Sequence, residues 1–219
     1  MFRHFLLFSF LVILANCSYE GIDVSVWQGP DIDFNRVKNA GINFVIIRAG
    51  CGSDVDTYFE DNYRKAKDAG LNVGAYWFAH AMSLDESSQE ANNMLSVTSD
   101  KQFEYPLFYD IERQDIFDKG VDFVSGIAAN FCTILQNSGK ACGLYSSKSF
   151  LENYFNYDVL HTYTIWVAQY YSECTYDGPY MIWQKSSTGQ VDGISGDVDL
   201  DTSYYDYATY MKENHLNGF

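Results

Sequence analysis

The sequence predicts an α/β protein that folds as a closed, irregular barrel of about eight strands. In the first two thirds of the chain, short apolar segments rich in β-branched residues alternate with segments of helical periodicity. After about residue 150 the helical segments become rare, and strand-like segments follow one another. The strand segments are continuous apolar runs, which is typical of parallel strands buried on both faces.

The five leading strand segments are each followed by a helical segment. Strands are predicted at 21–25, 43–48, 72–78, 108–112 and 141–145. Helices are predicted at 33–40, 56–69, 84–97, 121–136 and 149–154. Gly41 and Gly70 follow two of these helices at positions where glycine commonly ends a helix.

Three strands complete the prediction, at 164–170, 180–184 and 197–200, and a last helix is expected at 207–214. There is no linker, repeat or low-complexity tract, so residues 18–219 are expected to form a single domain.

The most informative segment is the strand that ends in Asp110 and Glu112. Side chains two apart on a strand share a face, so these carboxyl groups should lie side by side. Their repulsion is costly in a buried position. Glycoside hydrolysis needs such a pair, with one protonated acid and one ionised carboxylate. The alternative is a solvated strand end with two surface acids.

Composition restricts the class of partner. The net charge is −15, and no basic cluster offsets it, so nucleic acid is not an expected partner. The chain contains 18 tyrosines, a residue type that can stack on sugars but that also packs in cores.

Residues 1–17 resemble a secretory signal peptide, with an apolar run too short to span a bilayer. Ala15 and Cys17 are small residues suited to cleavage before Ser18. The expected destination is outside the cell or, through the same pathway, a lysosome or phagosome. No other segment has transmembrane length.

Cleavage leaves four cysteines, which in an exported chain favour two disulfides. Three pairings are possible. Cys132–Cys142 is preferred because a turn joins the two segments, and this leaves Cys51 with Cys174. Free buried thiols are the alternative. The spacing of the cysteines does not fit a zinc site, and no metal is expected.

Active sites of such barrels lie where the carboxyl ends of the strands meet. The acids expected there are Asp23, Asp110, Glu112 and Asp199. The residues expected to bind a substrate are Tyr76, Trp77, Trp166, Gln169, Tyr170, Trp183 and Gln184. For these aromatic and amide side chains, simple core packing is an equally good interpretation.

Several segments, in the same order, resemble glycoside hydrolase family 25 lysozymes. The matching segments are 21–29, 74–78, 108–112, 166–170, 182–184 and 198–201. The resemblance covers residues 19 to 205 and implies a TIM-like (β/α)5(β)3 barrel. It also implies hydrolysis of the β-1,4 bond between N-acetylmuramic acid and N-acetylglucosamine in bacterial peptidoglycan, without a cofactor.

By position, the resemblance makes Glu112 the general acid. Asp110 would stabilise the transition state, directly or by orienting the N-acetyl group of the substrate. Asp23 and Asp199 would be supporting acids that hold the pair and raise the pKa of Glu112. In the segment 198–201, Asp201 is the alternative to Asp199, which matches the family motif better. The protein is expected to be a monomer. A non-catalytic sugar-binding barrel and a hydrolase of another N-acetylhexosamine polymer, such as chitin, remain the alternatives.

Overall fold

The computed structural model describes residues 18–219, which form a mixed α/β barrel. The strands are β1 Tyr19–Val24, β2 Phe44–Cys51, β3 Asp54–Val55, β4 Asn72–Phe78, β5 Leu107–Asp110, β6 Cys142–Ser147, β7 Thr164–Ala168, β8 Ile182–Gly189 and β9 Val198–Ser203. The helices are α1 Phe34–Asn39, α2 Phe59–Asp68, α3 Leu84–Thr98, α4 Gln114–Phe117, α5 Val121–Asn137, α6 Lys148–Tyr154, α7 Tyr157–Thr162 and α8 Tyr207–Glu213. A 3-10 turn, Val26–Gln28, follows β1.

Eight strands form a closed ring in the order β1-β9-β8-β7-β6-β5-β4-β2, and β2 pairs again with β1. Seven of them are parallel, whereas β9 is antiparallel to both of its neighbours, β1 and β8. The two-residue β3 forms a hairpin arm on β2 outside the ring. Helices follow the first five ring strands and are absent between β7, β8 and β9. The predicted (β/α)5(β)3 barrel is therefore confirmed.

Local sequence explains where the helices begin and end. The Asp33 side chain accepts two backbone N–H groups at the start of α1, and Ser83 accepts one at the start of α3. Gly70 follows α2 with φ 74°, a conformation that favours glycine. The main differences from prediction are that β5 ends at Asp110, β8 runs on to Gly189, and two short helices, α4 and α7, were not predicted.

Large aromatic side chains fill the inside of the ring. Phe44, Phe108 and Trp166 are buried there. Glycines on neighbouring strands make room for them, since a Cβ atom at Gly21 would lie 2.2 Å from the ring of Phe44. The outer face of the strands packs on the helices in a separate apolar layer. Side chains that alternate along each strand are therefore divided between these two layers.

Helix α8 covers the end of the barrel opposite the carboxyl ends of the parallel strands. Its Tyr207 is buried against Tyr105 at 5.2 Å between ring centroids, and Tyr105 stacks on Phe44 at 4.3 Å. The Tyr207 hydroxyl also bonds to Thr164 at the start of β7. This end of the barrel is thus closed by packed aromatic rings.

A disulfide joins Cys132 on α5 to Cys142 at the start of β6, with a Cα–Cα distance of 5.3 Å. The predicted Cys51–Cys174 bond is wrong, because both residues carry free thiols. Cys51 ends β2, whereas Cys174 follows β7, and three strands lie between them around the ring. Strands are about 4.8 Å apart, so this separation exceeds the reach of a disulfide.

Among residues 18–219, no helix is both long enough and apolar enough to cross a membrane. The predicted signal peptide, 1–17, lies outside the described residues.

Candidate active site

A cavity of about 210 Å³ opens at the carboxyl ends of the parallel strands. Its lining is dominated by carboxylates, other polar groups and aromatic rings. The lining residues are Asp23, Ser25, Trp27, Gln28, Arg48, Tyr76, Phe78, Asp110, Glu112, Tyr145, Trp166, Tyr170, Gln184 and Asp199. All four predicted catalytic acids are among them.

The direction of β9 explains how Asp199 reaches this end of the barrel. Asp199 lies near the start of β9, and β9 runs antiparallel to β1. The start of β9 therefore lies beside the end of β1, where Asp199 is directly opposite Asp23. Two acids from opposite ends of the chain are paired across one strand interface.

Strand β5 supplies the other two acids. Asp110 is its last residue and lies between Phe78 of β4 and Tyr145 of β6. Tyr109 and Ile111 belong to the outer apolar layer, whereas Asp110 and Glu112 line the cavity. The alternation predicted for this segment therefore continues beyond the regular strand.

Gln184 links two tyrosines to Asp23. Its Oε1 accepts hydrogen bonds from the hydroxyls of Tyr145 at 2.8 Å and Tyr170 at 3.0 Å. Its Nε2 donates to Asp23 Oδ2 at 2.7 Å. Because the two hydroxyls can both donate to Oε1, the amide is oriented with its donor toward the carboxylate.

Arg48 is held by an acid that lies outside the catalytic group. Its Nε donates to Asp56 Oδ2 at 2.7 Å, and Asp56 also accepts the backbone N–H of Val26. This contact anchors the 3-10 turn, which Ser25 and Gln28 cap reciprocally. Trp27 projects from the anchored turn into solvent at the cavity rim, with 83% of its surface exposed.

Burial raises the pKa of every acid in the cavity. Burial is the largest cause that raises the pKa of Asp110 well above its ordinary value, and repulsion from Glu112 is the second. The charge of Arg48 lowers this pKa. Burial, and then the charge of Asp199, raise the pKa of Glu112. Burial raises the pKa of Asp199 to about 6. Burial therefore favours the protonated form of each of these groups.

Four of the predicted substrate-binding residues line the cavity: Tyr76, Trp166, Tyr170 and Gln184. The other three, Trp77, Gln169 and Trp183, do not line it. Trp77 is fully buried in the outer layer, where its indole N–H donates to the carbonyl of Gly52 at 3.1 Å.

Trp183 and Gln169 also lie away from the cavity. Trp183 is buried in the outer layer and donates to the carbonyl of Gln169 at 2.7 Å. The Gln169 side chain bonds to Thr175 in the loop after β7. These contacts leave Trp183 and Gln169 with structural roles in that loop.

Six further residues line the cavity although they are not among the predicted catalytic and substrate-binding residues: Ser25, Trp27, Gln28, Arg48, Phe78 and Tyr145. Ser25, Trp27 and Gln28 follow β1 and Phe78 ends β4, and this position at a strand end is a signal that the sequence offers, whereas Arg48 and Tyr145 lie within β2 and β6. Asp201, the other acid of the segment that contains Asp199, does not line the cavity. It lies two residues further along β9 than Asp199, on the same face of the strand, and it is completely buried.

Among residues 18–219, no group of three or more His, Cys, Asp and Glu side chains has an arrangement suited to a metal ion.

Comparison with known proteins identifies relatives of this chain. Residues 22–194 match the profile of glycosyl hydrolases family 25. The autolytic lysozyme of Clostridium acetobutylicum is 32% identical over 184 residues, which represent 83% of this chain and 55% of that protein. The chain therefore spans about half the length of that curated relative.

Solved structures share the fold. The CTP1L endolysin superposes with a TM-score of 0.79 at 27% identity, covering 89% of this chain and 70% of that one. The bacterial lysozyme of Streptomyces coelicolor gives a TM-score of 0.74 at 26% identity, covering 89% and 96%. Since the family profile matches most of the chain and includes three of the four cavity acids, Asp23, Asp110 and Glu112, this protein belongs to glycosyl hydrolases family 25.

Proposed function

We propose that this glycoside hydrolase cleaves the β-1,4 bond between N-acetylmuramic acid and N-acetylglucosamine in bacterial peptidoglycan. The observation that carries the proposal is the convergence of Asp23, Asp110, Glu112 and Asp199 on one cavity of the barrel. The similarity to an autolytic lysozyme supports the choice of substrate.

Glu112 is the proposed general acid. Burial and the nearby charge of Asp199 both favour its protonated form. A carboxyl group that keeps its proton near neutral pH can transfer it to the oxygen of the leaving sugar. The bond between the anomeric carbon and that oxygen then breaks, and its electron pair leaves with the newly protonated oxygen.

Asp110 is proposed to act on the substrate's acetamido group. Its Oδ1 is buried and has no hydrogen-bond partner within residues 18–219. An N–H donor from the substrate would satisfy this oxygen and favour the ionised form of Asp110. The proton of the pair would then remain on Glu112, and the oriented acetamido oxygen could attack the anomeric carbon. Direct stabilisation of the positive transition state by Asp110 is the other route.

The remaining groups are proposed to position the substrate. Asp23 and Asp199 would hold the geometry of the catalytic pair. Tyr76 and Trp166 form part of the cavity wall, with their rings 6.1 Å apart in an edge-on arrangement. Tyr170 at the rim would contact the sugar chain through its ring and hydroxyl. We further propose that residues 18–219 act as one exported, monomeric catalytic domain.

The test is muropeptide release from purified peptidoglycan, compared between the wild type and Glu112→Gln. Loss of the general acid should reduce the rate about 10²- to 10⁴-fold. Glu90→Gln is the matched control, since Glu90 is a buried carboxyl on the outer side of β5. Mass spectrometry of the products should show N-acetylmuramic acid at the reducing end.

The other outcomes each exclude the proposal. Reducing N-acetylglucosamine would indicate cleavage of the alternate bond. Release from chitin but not from peptidoglycan would indicate a different polymer. Binding without release in both proteins would indicate a sugar-binding barrel.

A further inference from the structure

Asp201 lies beneath the cavity and has no role in the proposed chemistry. It is two residues beyond Asp199 on β9 and points to the same face of the strand. Because β9 runs down from the cavity, Asp201 is one layer deeper in the barrel. It lies opposite Gly21 of β1 and Gln184 of β8, and its surface is 0% exposed. An acid buried to this extent requires partners.

The two oxygens of Asp201 have different surroundings. Oδ1 accepts a hydrogen bond from the indole N–H of Trp166 at 2.8 Å. Oδ2 receives no N–H or O–H donor from the described part of the chain. Asp201 is opposite Gly21, and Asp23 lies two residues further along β1, so the Asp201 and Asp23 carboxyl groups are diagonal neighbours on one face of the sheet. Trp166 can only donate, so the contact between the two carboxyl groups is the one that needs a proton.

Asp23 is better suited than Asp201 to be the ionised member of this pair. The Gln184 amide donates to Asp23 Oδ2 at 2.7 Å, and Asp23 lines the cavity where positive charge would develop. Burial and the charges of Asp201, Asp199 and Asp110 raise the pKa of Asp23 as well, so the two carboxyl groups are expected to hold one proton between them. Lys185 is the facing cation, but its ammonium group is bonded to Glu20 and to Thr202.

We propose that Asp201 is a positioning residue that stays protonated during catalysis and donates its O–H to Asp23, so that Asp23 is fixed as a carboxylate between two donors. Its importance for catalysis rests on the proposed function, whereas its protonation does not. Burial, the largest effect, and the charge of Asp199 raise the pKa of Asp201 well above its usual range, while the hydrogen bond from Trp166 and the contact with Asp23 lower it. The chain thus uses a neutral acid to hold a charged one.

The first test does not depend on activity. Infrared difference spectra of the free protein at about pH 7 should show the carbonyl stretch of a protonated carboxylic acid that disappears in Asp201→Asn. The indole N–H resonance of Trp166 in NMR spectra reports whether the barrel is intact, because the asparagine amide oxygen can still accept its hydrogen bond. Persistence of the full infrared band in a folded Asp201→Asn variant would place the proton elsewhere and overturn the proposal.

The second test separates positioning from a purely structural role. Asparagine supplies a donor that does not ionise, so Asp201→Asn should keep kcat within about threefold and extend activity to higher pH. Leucine has a similar size but no donor, so Asp201→Leu should lower kcat roughly tenfold to a hundredfold with little change in KM. Equal loss in both variants would refute the proposal.

The two tests remain distinguishable if one of them fails. If the wild type hydrolyses no glycoside, the proposed function fails and the infrared result alone decides the protonation of Asp201. If Asp201→Leu does not fold, the pH profile of Asp201→Asn still decides the positioning role, since an unchanged alkaline limb would contradict it.

Discussion

Replacing Glu90 with glutamine should make the protein more stable, and increasingly so as the pH rises. Glu90 is 4% exposed, on α3 behind the barrel wall. It accepts the backbone N–H of His80 at 2.8 Å and the hydroxyl of Tyr109. Glutamine can retain both contacts, because its oxygen accepts from His80 and its amide donates to the Tyr109 oxygen. The variant removes only the ability to ionise.

The magnitude follows from the pKa of Glu90. Burial raises this pKa from an ordinary 4.5 to about 7, against the opposing hydrogen bonds from Tyr109 and His80. Between these values the folded protein binds more protons than the unfolded chain, so wild-type stability falls as pH rises through this window. The difference between a pKa of 4.5 and one of about 7, at roughly 1.36 kcal/mol for each tenfold change in the acid dissociation constant, gives an upper limit of about 3 kcal/mol.

The assay is urea unfolding followed by tryptophan fluorescence, at about pH 4.5 and about pH 8. The difference between Glu90→Gln and the wild type should be small at the lower pH and approach about 3 kcal/mol at the higher one. Glu104→Gln is the control, because Glu104 is buried in an ion pair with Lys67 and its loss should destabilise the protein near neutral pH. A difference for Glu90→Gln that is independent of pH would refute the reasoning.

Three further predictions concern the rim, the core and the disulfide. Trp27→Ala should raise KM for peptidoglycan several-fold. It should not lower the melting temperature, because the 83% exposed side chain contributes little to packing. An unchanged KM would show that Trp27 does not belong to the binding surface. Gly21→Ala should destabilise the fold by about 1–3 kcal/mol or more in urea unfolding, since its Cβ would lie 2.2 Å from the ring of Phe44. Unaltered stability would mean that the Phe44 ring can move aside without an energetic cost. Replacing Cys132 and Cys142 with serine opens a loop whose ends are 10 residues apart. On chain-entropy grounds, this should lower the free energy of unfolding by about 3 kcal/mol. A melting temperature equal to that of the wild type under non-reducing conditions would contradict this.

The barrel and the carboxylates that line the cavity could be predicted from sequence because they depend on local patterns. Alternation along β5 placed Asp110 and Glu112 on one face, and this pattern needs no knowledge of the rest of the fold. The change from alternating strands and helices to consecutive strands likewise indicated the segment that forms β7, β8 and β9 and completes the ring.

The errors arose where long-range geometry decides the outcome. Tyr76 and Trp77 are adjacent aromatic residues, so one faces the cavity and the other the helices, but the sequence does not reveal which. The depth of Asp201 depends on the antiparallel direction of β9, which no residue pattern specifies. Cys51 and Cys174 could be paired only by elimination, and the number of strands between them was unknown.

The pairing of β9 with β1 has a consequence for how the protein is made. The first and last strands of the ring must meet before the barrel can close. As long as β9 has not emerged from the ribosome, Asp199 and Asp201 cannot join the folding barrel. One edge of β1 then remains unpaired. Such non-local pairing is slow and leaves the nascent chain prone to aggregation. The cavity consequently assembles late in folding, because Asp199 in its lining and Asp201 beneath it belong to the last strand of the ring.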